Sequence, residues 1–158
     1  MFVALLPPAA FVLAWLFALL GVQPAGAEPG SPFEEDALRW VLFWALGWSV
    51  LGGAIAHTIF ARGTAESIGW PTGGFQYEVG FASLGIGLAA IYASIQDSSE
   101  AWIAAAIAGG LFLLLAGFNH VREIHAERNY SPGNTLILLS DFGVPISLFA
   151  LLLATNAI

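Results

Sequence analysis

Apolar residues run along this chain in five long blocks separated by short polar stretches. The blocks are Met1 to Val22, Leu38 to Phe60, roughly Phe75 to Ile95, Ala101 to Phe118, and Leu136 to Ala154. A helix needs about 20 apolar residues to cross a bilayer, and each block is at or near that length. The fourth is expected to continue as helix to about Ala126. The blocks are too long for single strands and none alternates with period two, which disfavours a β-barrel. The pattern predicts an all-α fold: a polytopic transmembrane helix bundle with a four-helix core plus one N-terminal helix. The expected organisation is an N-terminal helix over 1–22, an acidic Pro/Gly linker over 23–37 and the bundle over 38–158.

Composition strengthens this picture. Of 158 residues, 58% are hydrophobic and 9% charged, against roughly 25% charged in an ordinary soluble domain. There is no Lys and no Cys, and four Arg face eleven Asp and Glu for a net charge of -7. A soluble globular domain, a disordered chain and a disulfide scaffold are excluded. No basic patch is available to neutralise phosphates, so nucleic acid is not an expected partner. The expected solvent is the lipid bilayer.

The first block has a second reading. Ala25-Gly26-Ala27 before Glu28 fits a small-x-small signal-peptidase site, with Phe11 to Leu20 as the apolar core. No Lys or Arg precedes that core, which favours a retained helix. With five spans, Arg62, Arg122, Arg128 and the amino terminus share one side, and Arg39 lies on the other. Positive charge marks the cytoplasmic side. The expected placement is therefore a bacterial inner membrane, N-terminus cytoplasmic and C-terminus outside.

Aromatic and small residues suit such a bundle. Trp40 and Trp102 start spans, and Trp70, Tyr77 and Tyr130 sit near the other interface. Trp40, Trp44 and Trp48 are four apart and share a helix face. That stripe is read as a lipid-facing anchor or as a docking face for a helix or flat pigment. Gly80, Ser83, Gly85 and Gly87, and Ala105, Ala106, Gly109 and Gly110, offer close-packing faces.

Polar side chains gather at one end of the spans. His57 ends the second, Glu78 opens the third, Asn119, His120, Glu123, His125 and Glu127 close the fourth, and Asp141 lies just inside the fifth. Carboxylates near helix N-termini and histidines near C-termini complement the macrodipole. Glu78 or Asp141 could also pair with Arg62 or Arg122 in a structural polar cap. Two functional readings stand beside that one. His57 and His120 are candidate cofactor-binding residues, for example as axial ligands of haem, with Gly53-Ala54 and Ala116-Gly117 leaving room beneath the rings. Glu78, His120, Glu123 and Asp141 are candidate metal ligands, because His120 and Glu123 share a helix face. No catalytic set is evident.

Two loops at the same end carry turn chemistry. In T-A-E-S-I-G-W-P-T-G-G-F-Q-Y from Thr64, Thr64 is a candidate helix cap, Gly69 and Pro71 break the helix, and Trp70 is expected against the membrane surface. In N-Y-S-P-G-N from Asn129, Asn134 or Thr135 is a candidate cap for the fifth span. Either loop could act as a lid over the polar cluster.

Several segments carry a resemblance: R-W-V-L-F-W-A-L-G from Arg39, G-x-x-x-H-T from Gly53, S-I-G-W-P from Ser67, F-Q-Y-E ending at Glu78, and N-Y-S-P-G-N with Asp141 beyond. Together they resemble a family of small prokaryotic four-span membrane proteins of unknown function, distantly similar to DoxX-like bundles. The motifs cover about Arg39 to Leu153. The resemblance implies a fold and no activity. The expected function is an accessory or structural subunit that packs in a larger membrane complex or a homo-oligomer. A haem- or metal-binding redox protein is the alternative. A small-solute carrier or pore acting as an oligomer is a second.

Overall fold

The computed structural model describes the backbone of residues 2–158 and the side chains of residues 5–158. Among the described residues the chain forms six helices and no strand. They are α1 (Phe2–Leu19), α2 (Phe33–Thr58), α3 (Ala61–Ile68), α4 (Gly74–Ser94), α5 (Ser99–Ala126) and α6 (Pro132–Ala154). Helices α2, α4, α5 and α6 are long and apolar enough to cross a membrane, and the apolar stretch Leu5–Leu19 of α1 is shorter. The all-α, four-span bundle expected from the hydrophobic pattern is the fold.

Helix α2 is the central element and touches α1, α4, α5 and α6. It is π-helical over Val41–Trp48, as is α5 over Ala106–Gly110. The two widened stretches meet. A Cβ on Gly109 would lie 2.5 Å from the Leu46 side chain, so only a glycine lets that leucine in. Around this point lies the apolar core, with Leu38, Leu42 and Leu46 of α2, Val144 and Leu148 of α6, and Trp102 of α5.

The α2–α4 interface uses the predicted small face. A Cβ on Gly87 would meet the Leu51 side chain at 2.8 Å and the Gly47 carbonyl at 2.9 Å. One on Gly80 would meet Thr58 at 2.6 Å. Gly85, on the same helix, is exposed and meets nothing within 4 Å.

The tryptophan stripe is covered from within the chain. Phe17 of α1 lies edge-on to Trp40 at 5.0 Å and to Trp44 at 6.3 Å, and the Trp40 indole N–H donates to the Val22 carbonyl at 2.7 Å. Helix α1 buries Ala14 and Ala18, and Trp15 donates to Ser147 of α6 at 3.3 Å. Trp40 and Trp44 are therefore half-buried, and Trp48 alone of the stripe is exposed. The docked helix is the chain's own.

Arg39 has a role that its position at a loop edge concealed. Its side chain is 1% exposed and pairs with Glu35 at 2.9 Å and Asp97 at 3.6 Å. Its guanidinium donates to the carbonyls of Ser94 and Gln96 and lies 5.0 Å over the Trp102 ring. One cation thus ties α2 to the turn between α4 and α5.

Candidate functional site

At the end of the bundle opposite Arg39, side chains do not fill the interior. A cavity of about 590 Å³ lies among α2, α4, α5 and α6, with α3 and the loop 69–73 along its rim. Its cause is helix divergence. Helix α4 contacts α5 mainly over Ser99–Gly110, and the two separate beyond that segment. Phe75 and Val79 of α4 line the cavity and are also exposed, so it opens on that flank. Gly52 and Gly53 of α2 border it with open space where a Cβ would stand.

Most of the wall is apolar, and a few polar groups converge on it. His57 from α2, Gln76 from α4, His120 from α5, Asp141 from α6 and Trp70 from the rim loop all line the space. Asn134 orders His120. Its Oδ1 lies 2.5 Å from His120 Nδ1, while its Nδ2 donates to the Asn129 carbonyl at 2.8 Å. Trp70 stacks on the other side of the arrangement, its ring 5.2 Å from the His120 ring and 15° from parallel. His120 Nε2 faces Asp141 Oδ2 at 3.9 Å, too far for a hydrogen bond.

The rim is held by local chemistry. Gly69 ends α3 with φ +75°, a conformation that suits glycine. Asn129 reaches back to donate to the Ile68 carbonyl at 2.7 Å. Gly133 packs so closely on Ser67 that a Cβ there would stand 2.7 Å from the Ser67 carbonyl oxygen. The T-A-E-S-I-G-W-P and N-Y-S-P-G-N segments are therefore one clamp.

Three local expectations are corrected. Thr64 is no cap: α3 begins at Ala61, and the buried Thr64 hydroxyl donates to the Ala56 carbonyl at 2.8 Å. Asn134 and Thr135 do not cap α6, which begins at Pro132; Asn134 is spent on His120, and Thr135 donates back to the carbonyls of Ser131 and Pro132. Trp70 turns inward onto His120 rather than lying on the membrane surface.

Of the expected site residues, the fold brings His57, His120 and Asp141 to one cavity. Glu78 is exposed and Glu123 half-buried, and neither lines it. Among the described residues no group of three or more His, Asp or Glu is placed to hold a metal ion. For haem, His120 Nε2 is the nitrogen that faces Asp141, so an axial iron would compete with that carboxylate. Among the described residues Arg62 and Arg122 make no ion pair, so the arginine pairing expected for Asp141 is absent there. Gln76 and Asn134 lie in the F-Q-Y-E and N-Y-S-P-G-N segments, but their roles here come from tertiary placement.

Four residues of this wall each carry a buried polar atom without a hydrogen-bond partner. His57 Nδ1, Trp70 Nε1, Gln76 Oε1 and Asp141 Oδ2 are all of this kind. Buried polar atoms are normally satisfied, and each exception asks for an explanation. Four of them belong to residues around one cavity.

No curated protein and no solved structure matches the chain. A family model matches residues 4–157, which takes in α1 and the linker as well as the segment that carries the quoted motifs. The chain belongs to DUF6790, a family of unknown function.

Proposed function

We infer that the protein is an integral membrane protein that receives a small amphipathic molecule in the cavity beside His57, His120 and Asp141. The observation that carries this reading is a cavity of about 590 Å³ whose mostly apolar wall includes His57, Gln76, His120 and Asp141 from four helices. A molecule with a hydrogen-bonding head and an apolar body would match a wall in which a few polar residues stand among apolar ones. The exposed flank at Phe75 and Val79 supports entry from the bilayer side. Binding of this kind serves a receptor or a carrier alike, since any carriage begins with occupancy of a site near polar groups on several helices.

The accessory-subunit reading draws on the small-residue faces. Gly47, Gly80, Gly87 and Gly109 are used inside the bundle, which leaves that reading less support than the cavity has. The test is a comparison of two preparations. Organic extracts of the purified chain and of Gly53→Phe are compared by mass spectrometry. The reading expects a small molecule that accompanies the wild-type chain and is lost from the variant, whose new ring occupies open space on the cavity wall. Equal extracts from two folded proteins would count against it.

A further inference from the structure

The cavity is bordered by straight stripes on three helices. Helix α2 contributes Ser49, Gly53 and His57. Helix α4 contributes Phe75, Val79 and Ser83, and α5 contributes Phe112, Ala116 and His120. Each set is spaced four apart, which keeps it on one helix face. Eight residues of helix rise about 12 Å. The cavity is therefore a slot that runs inward from the rim loop, along the bundle axis, for about 12 Å. A volume of about 590 Å³ spread over that length suits a slim body lying along the axis.

The two ends of the slot differ in chemistry. His57, Gln76, Asn119 and His120 stand at the rim, with Thr72 from the loop. Val50, Phe112 and Leu113 line the inner end, where the polar side chains are the buried Ser49 and Ser83. A serine hydroxyl within a helix can bond back to a carbonyl of the preceding turn, so these two add little polarity. The long side of the slot is open at Phe75 and Val79 of α4, both exposed.

Formal charge is scarce around the slot. No Arg lines it, and the chain has no Lys, so an anionic head would find only histidines, and those beside Asp141. Asp141 is 1% exposed and its Oδ2 is enclosed by protein, so a cationic head would find no carboxylate surface to rest on. An ion brought here would give up water without gaining a counter-ion. A neutral head gives up less. Thr72 and Asn119 are exposed at the rim, and a hydroxyl and an amide can each donate and accept.

We propose that the slot takes a single-chain amphiphile with an uncharged head, the head at the rim beside Thr72 and Asn119 and the chain running inward to Phe112 and Leu113. This rests on the ligand-binding reading above and adds the ligand's orientation and charge. The open flank at Phe75 and Val79 lets the chain pass from the bilayer into the slot without crossing water.

The test uses the full chain in phosphatidylcholine nanodiscs at alkaline pH, where decanoate is ionised. Two photoreactive decanols carry a diazirine, one beside the hydroxyl and one at the far end of the chain. Mass spectrometry locates the labelled residues. The far-end probe is expected to label Val50, Phe112 or Leu113, and the near-end probe Thr72 or Asn119. Plain decanol should block both labels. Decanoate and decyltrimethylammonium, matched for bilayer concentration, should need about tenfold more to do so. Gly53→Phe should remove both labels. Inverted labelling, with the far end at the rim, overturns the proposal, as does competition by either ion equal to that of decanol. In both cases the ligand-binding reading stands, because the slot is still occupied and competed for. If Gly53→Phe does not fold, the label positions and the competition in the wild type still decide. If neither probe labels a cavity residue in a way that plain decanol blocks, both readings fail.

Discussion

At the scale of single residues, the two most constrained charges of the bundle sit at opposite ends and have opposite fates. Arg39 is buried and fully engaged: two carboxylates, two carbonyls and an indole face surround it. Asp141 is as deeply buried and keeps one oxygen without a partner. The first arrangement stabilises; the second carries the cost of a buried polar atom left without a partner. Arg39→Met retains the aliphatic bulk and removes the guanidinium. It leaves the Ser94 and Gln96 carbonyls and Glu35 without their cation, and should destabilise the chain by about 3 kcal/mol. Thermal unfolding in detergent checks this, and a midpoint equal to the wild type would mean the network is ornamental. Asp97→Asn should cost far less, because the Asp97 side chain is 86% exposed and solvent screens that pair.

At the scale of helices, small residues decide which faces meet. Gly87 and Gly85 are two residues apart on α4, and glycine is a poor helix former at either position. Their surroundings differ. Gly87 abuts Leu51 and the Gly47 backbone, whereas Gly85 meets nothing. Gly87→Leu should force α2 and α4 apart and cost about 3 kcal/mol, while Gly85→Leu should leave thermal stability unchanged or slightly raised. Equal effects in the two variants would argue against close α2–α4 packing. This contrast also marks how far the sequence could be read. Its apolar blocks place α2, α4, α5 and α6, because their length and lack of charge have one common solution in a bilayer. Spacing four apart joined Ser83 to Gly87 on one face, yet it could not say that Gly85 points outward. The π-helical stretches at Val41–Trp48 and Ala106–Gly110, which meet where Leu46 packs on Gly109, carry no signal in the apolar pattern. The site was legible as a gathering of His57, His120 and Asp141 at one end. Trp70, Gln76 and Asn134 were not, because a turn tryptophan, a glutamine and a loop asparagine acquire meaning only when loops fold over the bundle.

At the scale of the whole molecule, the bundle is asymmetric along its axis. One end has a packed apolar core under the Arg39 network, and the other has the cavity and its unpartnered polar atoms. Charge follows the same axis. Glu34, Glu35, Asp36, Asp97 and Glu100 lie toward the Arg39 end, while Arg62, Arg122 and Arg128 lie on loops or helix ends at the cavity end. With Glu28, six carboxylates accompany one Arg at that end, and five accompany three Arg at the other, so the net charge of -7 is mostly an acidic Arg39 end over a nearly balanced cavity end. By the positive-inside rule the arginine bias predicts a cytoplasmic cavity end. The chain has no Cys, so single cysteines report topology without background. Asp97→Cys should react with a membrane-impermeant maleimide on intact cells. Glu127→Cys, which is exposed just beyond α5 at the other end, should react only after the membrane is opened. The reverse pattern would invert the molecule and put the mouth of the cavity in the outer leaflet. The expected pattern assigns the cavity to the cytoplasmic half, where a molecule entering it would be drawn from the cytoplasm or the inner leaflet.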